Sequence, residues 1–251
     1  MVKISVCMAS YNGAKYIRGQ IDSILVQLTE FDELIISDDG STDGTTDLIN
    51  SYNCGKIKLL HNTKHESDRP HLAVTRNFEN ALRHANGDYI FLSDQDDVWV
   101  INKISSMVNL LKIKELVISD CVIINNNFEI LHDSLFQLKK SRPGLIRNII
   151  KPRYHGSCMA FTREVLDIAL PFPKHLVTHD AWLGLIAECF FPVLFLEKKL
   201  VLYRIHDKNV SRQISKSSNS LYFKLNYRVY LAIHLLLRFL KYSIKKAWDI
   251  I

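Results

Sequence analysis

Gly87-Asp88-Tyr89-Ile90-Phe91-Leu92-Ser93-Asp94-Gln95-Asp96-Asp97-Val98-Trp99 decides how the rest of this chain is read. The apolar run Tyr89 to Leu92 follows a Gly-Asp turn and predicts a short buried strand. Three carboxylates then fall within four positions. Asp is disfavoured inside strands, so the acidic cluster is expected just past the strand's C-terminal end. That is where open α/β sheets bind their ligands. Asp94 and Asp96, two positions apart, can share one hard divalent cation, which takes one or two carboxylates and leaves its other positions to water and substrate phosphates. The plainer alternative is an acidic loop, with Asp97 capping a helix that begins at Val98-Trp99.

The segments before this stretch alternate in type. Lys3 to Ala9 reads as a strand closed by the turn Ser10-Tyr11-Asn12-Gly13. Ile17, Ile21, Ile24, Leu25 and Leu28 recur at helical spacing. Leu34-Ile35-Ile36 is a second strand, closed by Ser37-Asp38-Asp39-Gly40-Ser41-Thr42-Asp43-Gly44, and Lys56 to Leu60 a third. A polar loop, 61–71, precedes a helix with Ala73, Phe78, Ala81, Leu82 and Ala85 inward. Strands alternating with such helices imply βαβ units and a mostly parallel sheet. Neither a Gly-x-Gly-x-x-Gly fingerprint nor a Gly-x-x-x-x-Gly-Lys-Ser/Thr loop occurs, which argues against a dinucleotide site and a P-loop. What stands at the strand ends is acid and one aromatic. Asp39 can accept a base's ring N–H, a charge-assisted bond of roughly 1.5–3 kcal/mol, and Tyr11 offers a flat face for the same base.

With 251 residues, 47% hydrophobic and 23% charged, the chain is long and apolar enough for one large domain or a domain with an extension. Its five cysteines, Cys7, Cys54, Cys121, Cys158 and Cys189, are scattered and form no Cys-x-x-Cys, as expected of reduced thiols in a cytosolic protein. The N-terminus lacks the length of a signal peptide, and no apolar run approaches the roughly 18 residues of a spanning helix. The net charge of +6 hides a division. Residues 1–120 carry 12 Lys+Arg against 17 Asp+Glu; residues 121–251 carry 20 against 9. The acidic half suits a metal and the basic half an anionic partner.

Three segments together resemble family 2 glycosyltransferases: Ser5 to Gly13, Asp38 to Thr45, and Gly87 to Asp97, in the family's order and separations. The resemblance implies a GT-A-type nucleotide-sugar-binding fold, an activated sugar donor, a divalent metal (Mn²⁺ or Mg²⁺) and inversion at the anomeric carbon. By it, Tyr11 stacks on the donor base, Asp39 bonds to it, and Arg76 and Gln95 lie near the donor. Asp94 and Asp96 form the metal and diphosphate motif. Ala9 departs from the hydroxyl or proline that many relatives carry there.

The second half follows the same resemblance. His155-Gly156-Ser157-Cys158-Met159-Ala160-Phe161 looks like the segment lining the acceptor side. Thr178-His179-Asp180-Ala181-Trp182-Leu183 looks like the catalytic-base segment; Asp180 would take the acceptor's proton, the alternative being a helix-capping acid. In Tyr203 to Ser211, His206 would join the metal or diphosphate and Arg204 would offset charge on the departing diphosphate. Ser215 to Ser220 reads as a linker.

Leu221 to Ile251 reads as one amphipathic helix. Lys224, Arg228, Arg238, Lys241, Lys245 and Lys246 fall within about 140° of arc, while Tyr222, Leu225, Val229, Ile233, Leu236, Leu240, Ile244 and Ala247 line the other side. Such a helix suits a membrane interface, with Tyr242 and Trp248 as anchors, or packs its apolar side on protein. The chain thus divides into a nucleotide-sugar-binding half (1–120), an acceptor-binding and catalytic half of the same domain (121–214), and a linker with a basic tail (215–251). The expected function is transfer of a sugar from UDP-hexose, or alternatively dTDP-rhamnose, to a lipid-linked saccharide in surface polysaccharide assembly, at the cytoplasmic face of the membrane and without nucleic acid. A nucleotidyltransferase and a basic nucleic-acid-binding protein are the competing classes; the first lacks its phosphate loop, the second the aromatic platform of single-strand binders.

Overall fold

A computed structural model describes residues 2–62, 70–176, 178–207, 209 and 220–248, with backbone alone at 221 and 245–248. Most of the sequence-predicted linker 215–220, part of the 61–71 loop, and the side chains of Lys245, Lys246 and Trp248 lie outside the described residues.

The three apolar runs of the first half form β1 (Ile4–Ser10), β2 (Glu33–Asp38) and β4 (Tyr89–Asp94), with β3 (Ile57–His61) beside β2. All four are parallel, in the spatial order β3-β2-β1-β4. Parallel neighbours require crossovers, supplied by α1 (Ile17–Leu25), α2 (Thr45–Asn50) and α3 (Pro70–Arg83). The inward residues expected on α3, Ala73, Phe78, Ala81 and Leu82, are buried, as is Ala85 just beyond its end.

The sheet then changes direction. β8 (Met159–Thr162) runs antiparallel to β4 and to β6 (Leu116–Ile124), and β9 (Val193–Arg204) lies parallel to β6 over a long, irregular register. β5 (Val98–Trp99) closes on β9 antiparallel, and β7 (Ile130–His132) pairs with β6. Parallel ladders carry most of the paired residues, so the central sheet is mostly parallel. β6 itself spans the boundary drawn at residue 120.

Two local expectations change. Asp94 is the last residue of β4, not the first after it. Val98-Trp99 is a strand, not the start of a helix, because the Asp97 carboxylate accepts the Arg204 backbone N–H at 3.0 Å and ties this turn to the end of β9. Helix formation waits until α4 (Lys103–Leu111). Around the second half stand α5 (Leu135–Lys139), α6 (Leu145–Ile150), α7 (Arg163–Ala169) and α8 (His179–Phe190). The five cysteines are unpaired; Cys7, Cys121 and Cys158 are buried, the other two half-buried.

The tail forms α9 (Leu221–Trp248), which packs on α8 and α6. It does so with the opposite face from a simple amphipathic docking. Leu231 and Leu235 are buried, and Arg238 reaches inward to donate to the carbonyls of Leu170 and Pro171. Tyr242 donates to Glu164 at 2.7 Å and packs edge-on against Phe190. Lys224 and Arg228 are half-buried on this side. The apolar stripe predicted from the sequence faces outward, from 49% exposure at Leu240 to 76% at Tyr222. Among the described residues no helix is long and apolar enough to cross a membrane.

Gly87 sets the approach to β4. A Cβ there would lie 2.6 Å from the Ser5 backbone nitrogen, and its own N–H donates to Ser5 Oγ at 2.7 Å. Gly87→Ala is therefore expected to destabilise by about 1–3 kcal/mol through overpacking. Gly19→Ala, on α1 with nothing within 4 Å of the added Cβ, should gain roughly 0.5–1 kcal/mol of helix propensity. Denaturant unfolding of the two variants checks the contrast; equal effects would refute the close approach.

Candidate active site

The register of the parallel strands builds one edge. Ser10 is level with Asp38 and Ala9 with Asp94, so the chain leaves β1, β2 and β4 side by side at their carboxyl ends. Tyr11, Asp39 and Gln95 are the first residues beyond those strands. Tyr11 presents 43% of its surface. Its backbone is clamped by Gln95: the Tyr11 N–H donates to Oε1 at 2.9 Å, and Gln95 Nε2 donates to the Tyr11 carbonyl at 3.0 Å. Gly13 makes room for this clamp, since a Cβ there would sit 2.1 Å from Gln95 Oε1. Gln95, expected near the donor, thus spends its amide in holding Tyr11.

The two acids after Ser37 divide their work. Asp38 is buried and accepts from Ser10 Oγ, the Gly40 and Ser41 N–H groups and Ser41 Oγ. It shapes the turn. Asp39 follows, with its N–H on the Ser10 carbonyl at 2.9 Å and its Oδ1 accepting from Asn62 at 3.0 Å. On α3, Asn77 donates to the Ser10 carbonyl at 3.0 Å, which brings the half-exposed Arg76 to the same edge.

At the β4 end the motif acids separate. Asp96 Oδ2 meets His206 Nε2 at 2.9 Å and accepts from Asn209 Nδ2 at 3.1 Å. The His206 ring stacks on Tyr16 with centroids 4.7 Å apart. Tyr16 was not singled out from the sequence, and Asn209, in the segment Tyr203 to Ser211, was given no role there; they meet around His206, one by ring stacking and the other through Asp96. Asp94 lies with Asp97 and His155 in one group whose ligand atoms are within 4.8 Å of one another. Arg204, expected to face the departing diphosphate, is buried. Its Nε donates to the Asp96 carbonyl at 2.9 Å, and its guanidinium lies 5.3 Å from the Tyr16 ring centroid and 4.4 Å from that of Phe128. That geometry makes it a clamp on the motif's backbone.

Four carboxylates converge on this end of the sheet. Burial, then Asp97, Asp96 and Asp180, hold the Asp94 carboxyl well above the usual carboxylate range. Among the described residues no hydrogen bond reaches its side chain. Asp97 is raised likewise by burial and by Asp96, and its Oδ2 is buried without a partner. A divalent cation fits this donor set: hard oxygens in excess, an imidazole at Asp96, and mutual repulsion that a 2+ charge relieves.

Asp180 lies in the first turn of α8, half-buried, where burial pushes its carboxyl up to about 6, and its charge acts on Asp94. Thr178 is the N-cap, and Asp180 is a first-turn acid whose Oδ1 accepts the Ala181 N–H at 2.7 Å. His179 turns away, stacked on Phe78 with centroids 4.0 Å apart, and is kept neutral by burial with its pKa at about 3. Gly156, in the segment expected to line the acceptor side, lies against both: a Cβ there would be 3.0 Å from His179 Nε2 and 3.7 Å from Asp180 Cβ. Lys139, at the end of α5, is the other charge acting on Asp180 and was missed in the sequence, where it sits in an ordinary basic run.

Comparison with known proteins meets this geometry from outside. Residues 5–168 match the family model described as glycosyl transferase family 2. A glycosyltransferase of Nostoc sp. is 28% identical over 99% of this chain and 85% of its own length. The β-1,3-glucosyltransferase WfgD of Escherichia coli, whose name gives UDP-Glc and α-D-GlcNAc-diphosphoundecaprenol, is 32% identical over 49% of the chain and 47% of its own length. The chain therefore spans about half of that relative. Among solved structures, S. aureus TarS 1-349 in complex with UDP-GlcNAc superposes with a TM-score of 0.65 at 18% identity, over 91% of this chain and 66% of that one. The mannosyltransferase PcManGT from Pyrobaculum calidifontis, with GDP-Man and Mn²⁺, gives 0.59 at 20% identity, over 82% and 58%. Both share the GT-A fold with this chain. The family model covers well over half of the sequence, and the chain belongs to glycosyl transferase family 2.

Proposed function

We propose that this glycosyltransferase moves a sugar, with inversion, from a nucleoside-diphosphate sugar to a hydroxyl of a lipid-linked saccharide in surface polysaccharide assembly. The observation that carries the reading is Asp180: a carboxylate with its pKa brought to about 6 by burial, facing the acidic end of the nucleotide-sugar edge. A single displacement needs one base on the side opposite the leaving group, and a base works best with a pKa near the working pH. Asp180 accepts the proton of the acceptor hydroxyl as that oxygen bonds to the anomeric carbon. The bond from that carbon to the nucleoside diphosphate breaks, and the diphosphate leaves with the electron pair.

Tyr11 and Asp39 hold the base of the donor, the first by its exposed ring and the second by its carboxylate, with Arg76 close by. Asp94, Asp96 and His206 would hold a divalent cation, which supplies neutralisation of the diphosphate when bound. Gln95 and Arg204 keep Tyr11 and the acidic turn in place. UDP-hexose is the favoured donor, in keeping with the UDP-Glc in the name of WfgD and the UDP-GlcNAc bound to TarS; dTDP-rhamnose is the alternative.

Membrane attachment through α9 completes the proposal. Its outward stripe is apolar over seven positions from Tyr222 to Ile244, α6 beside it exposes Ile146 and Ile150, and WfgD is named for a lipid-linked acceptor. The docking is peripheral, since an exposed apolar face on a helix packed against a domain buries itself in an interface and does not span it.

Four outcomes are expected. One nucleoside diphosphate from UDP, dTDP, GDP and CDP should stabilise the protein with Mn²⁺, by about 2.7 kcal/mol at 100 times its dissociation constant, and Asp96→Ala should abolish the thermal shift; no shift from any nucleotide refutes the donor site. Asp180→Asn should lower kcat by about 10²–10⁴-fold while keeping the nucleotide shift. Wild-type kcat/KM should fall as pH drops below about 6, where Asp180 becomes protonated and stops serving as a base; a flat profile with full Asn activity excludes the role. Ile233→Asp with Leu236→Asp should release the protein from phosphatidylglycerol vesicles in a flotation assay, while unchanged flotation assigns the stripe to another use.

A further inference from the structure

The second half carries its charge unevenly. Between Lys139 and Arg153 lie six basic residues, Lys139, Lys140, Arg142, Arg147, Lys151 and Arg153, and no acid. The fold gathers part of this run beside Asp180. α5 is pinned by the buried Asp120 of β6, which accepts from Ser134 Oγ at 2.5 Å and from the Phe136 N–H at 2.9 Å. The chain then returns, with Ser141 Oγ donating to the Arg153 carbonyl at 3.2 Å. Lys139, Lys151 and Arg153 thereby stand close enough for the latter two charges to act on the first, and Lys139 acts in turn on Asp180.

Among the described residues none of the three makes an ion pair. The carboxylate of Glu188, on α8 nearby, is taken by the Gly144 N–H and by Asn148 Nδ2. The Arg153 Nε is buried with no hydrogen-bond acceptor. An unsatisfied buried donor on a charged group is costly, and a phosphate oxygen matches a guanidinium fork better than any other common ligand group. Immediately beyond, α6 turns Ile146 and Ile150 to solvent at 75% and 54% exposure.

We propose that Lys139, Lys151 and Arg153 form an anion site for a phosphate or diphosphate group carried by the acceptor, with Ile146 and Ile150 receiving the apolar chain attached to it. The proposal rests on the glycosyltransferase reading, because it is Asp180 that marks this side as the acceptor's. None of its residues belongs to the Asp94–Asp96 group, so donor and acceptor phosphates would be held by different side chains. It also gives the enzyme a way to select acceptors by their anionic link before the sugar is tested.

Farnesyl diphosphate, an apolar chain bearing a diphosphate and no sugar, is the probe. Its binding to the full chain is titrated calorimetrically, with and without a saturating nucleoside diphosphate and Mn²⁺, for wild type, Lys151→Glu and Lys151→Glu/Arg153→Glu. The exposed Lys151 makes the single variant safe for folding. Expected results are binding by wild type that survives nucleotide saturation, a loss of about threefold or more in the single variant and tenfold or more in the double, and no measurable binding of farnesol. The nucleotide thermal shift should be the same in all three proteins, which reads the donor site independently. Equal affinity in wild type and double variant, or farnesol binding as well as its diphosphate, overturns the site. An unchanged farnesyl diphosphate affinity with weakened binding to phosphatidylglycerol vesicles also overturns it, and assigns the cations to bulk lipid headgroups.

Discussion

Crowding of negative charge at the carboxyl end of the sheet is the constraint around which this molecule is arranged. Two carboxylates about 5 Å apart repel by roughly 3 kcal/mol at the effective dielectric of a protein surface. Asp94, Asp96, Asp97 and Asp180 all contribute to one such field. The chain offsets part of it locally. His206 and Asn209 take Asp96, the Arg204 N–H takes Asp97, and Lys139 offsets Asp180. Asp94 alone receives nothing of this kind from the described residues. An arrangement that compensates three acids and leaves the fourth bare suits the divalent cation of the proposed function.

The same economy gives neighbouring acids different work. Asp38 and Asp97 build: each accepts a backbone N–H that fixes a turn, Ser41 for the one and Arg204 for the other. Their neighbours Asp39 and Asp96 accept from side-chain amides instead, those of Asn62 and Asn209. Gln95 and Arg204 follow the builders: the amide of one holds Tyr11 and the guanidinium of the other holds the Asp96 carbonyl. Rigid backbone at the edge matters because a transfer reaction gains most from groups already aimed before the substrate binds.

The fold was legible wherever local pattern and tertiary role coincide. Val6 to Met8, Leu34 to Ile36 and Ile90 to Leu92 are apolar and fully buried on both faces, as in a covered parallel sheet, so each run announced its strand. Val98-Trp99 defeated the same logic. Two residues hold too little pattern, and the bond from Arg204 to Asp97, more than a hundred positions apart in the chain, decides their state. Tyr16, Asn209 and Lys139 were invisible for a related reason: each is unremarkable in its own segment and acquires meaning from a distant one. Asp180 was the reverse case, a helix-opening acid by pattern, whose burial only the packing of α8 reveals.

The tail shows most clearly why a helical wheel does not by itself assign faces. A stripe of aliphatic residues opposite a basic arc reads equally well for packing on a domain or lying on lipid. The structure breaks the tie by using the basic side: Arg238 bonds to the carbonyls of Leu170 and Pro171, while Leu231 and Leu235, lying within that polar arc, supply the buried contact. The consequence for attachment is physical. Interfacial helices ordinarily combine apolar insertion with attraction of outward lysines to anionic lipid. Here Arg238 is committed to the protein and Lys224 and Arg228 are half-buried, while Lys241 is exposed, so on the proposed reading α9 meets lipid chiefly with apolar area. The cations of the Lys139 to Arg153 run are then left for the acceptor's own phosphate and not for bulk lipid headgroups. On that reading an enzyme held by the apolar area of α9, with its cationic site and the exposed isoleucines of α6 on the acceptor, keeps Asp180 toward the lipid.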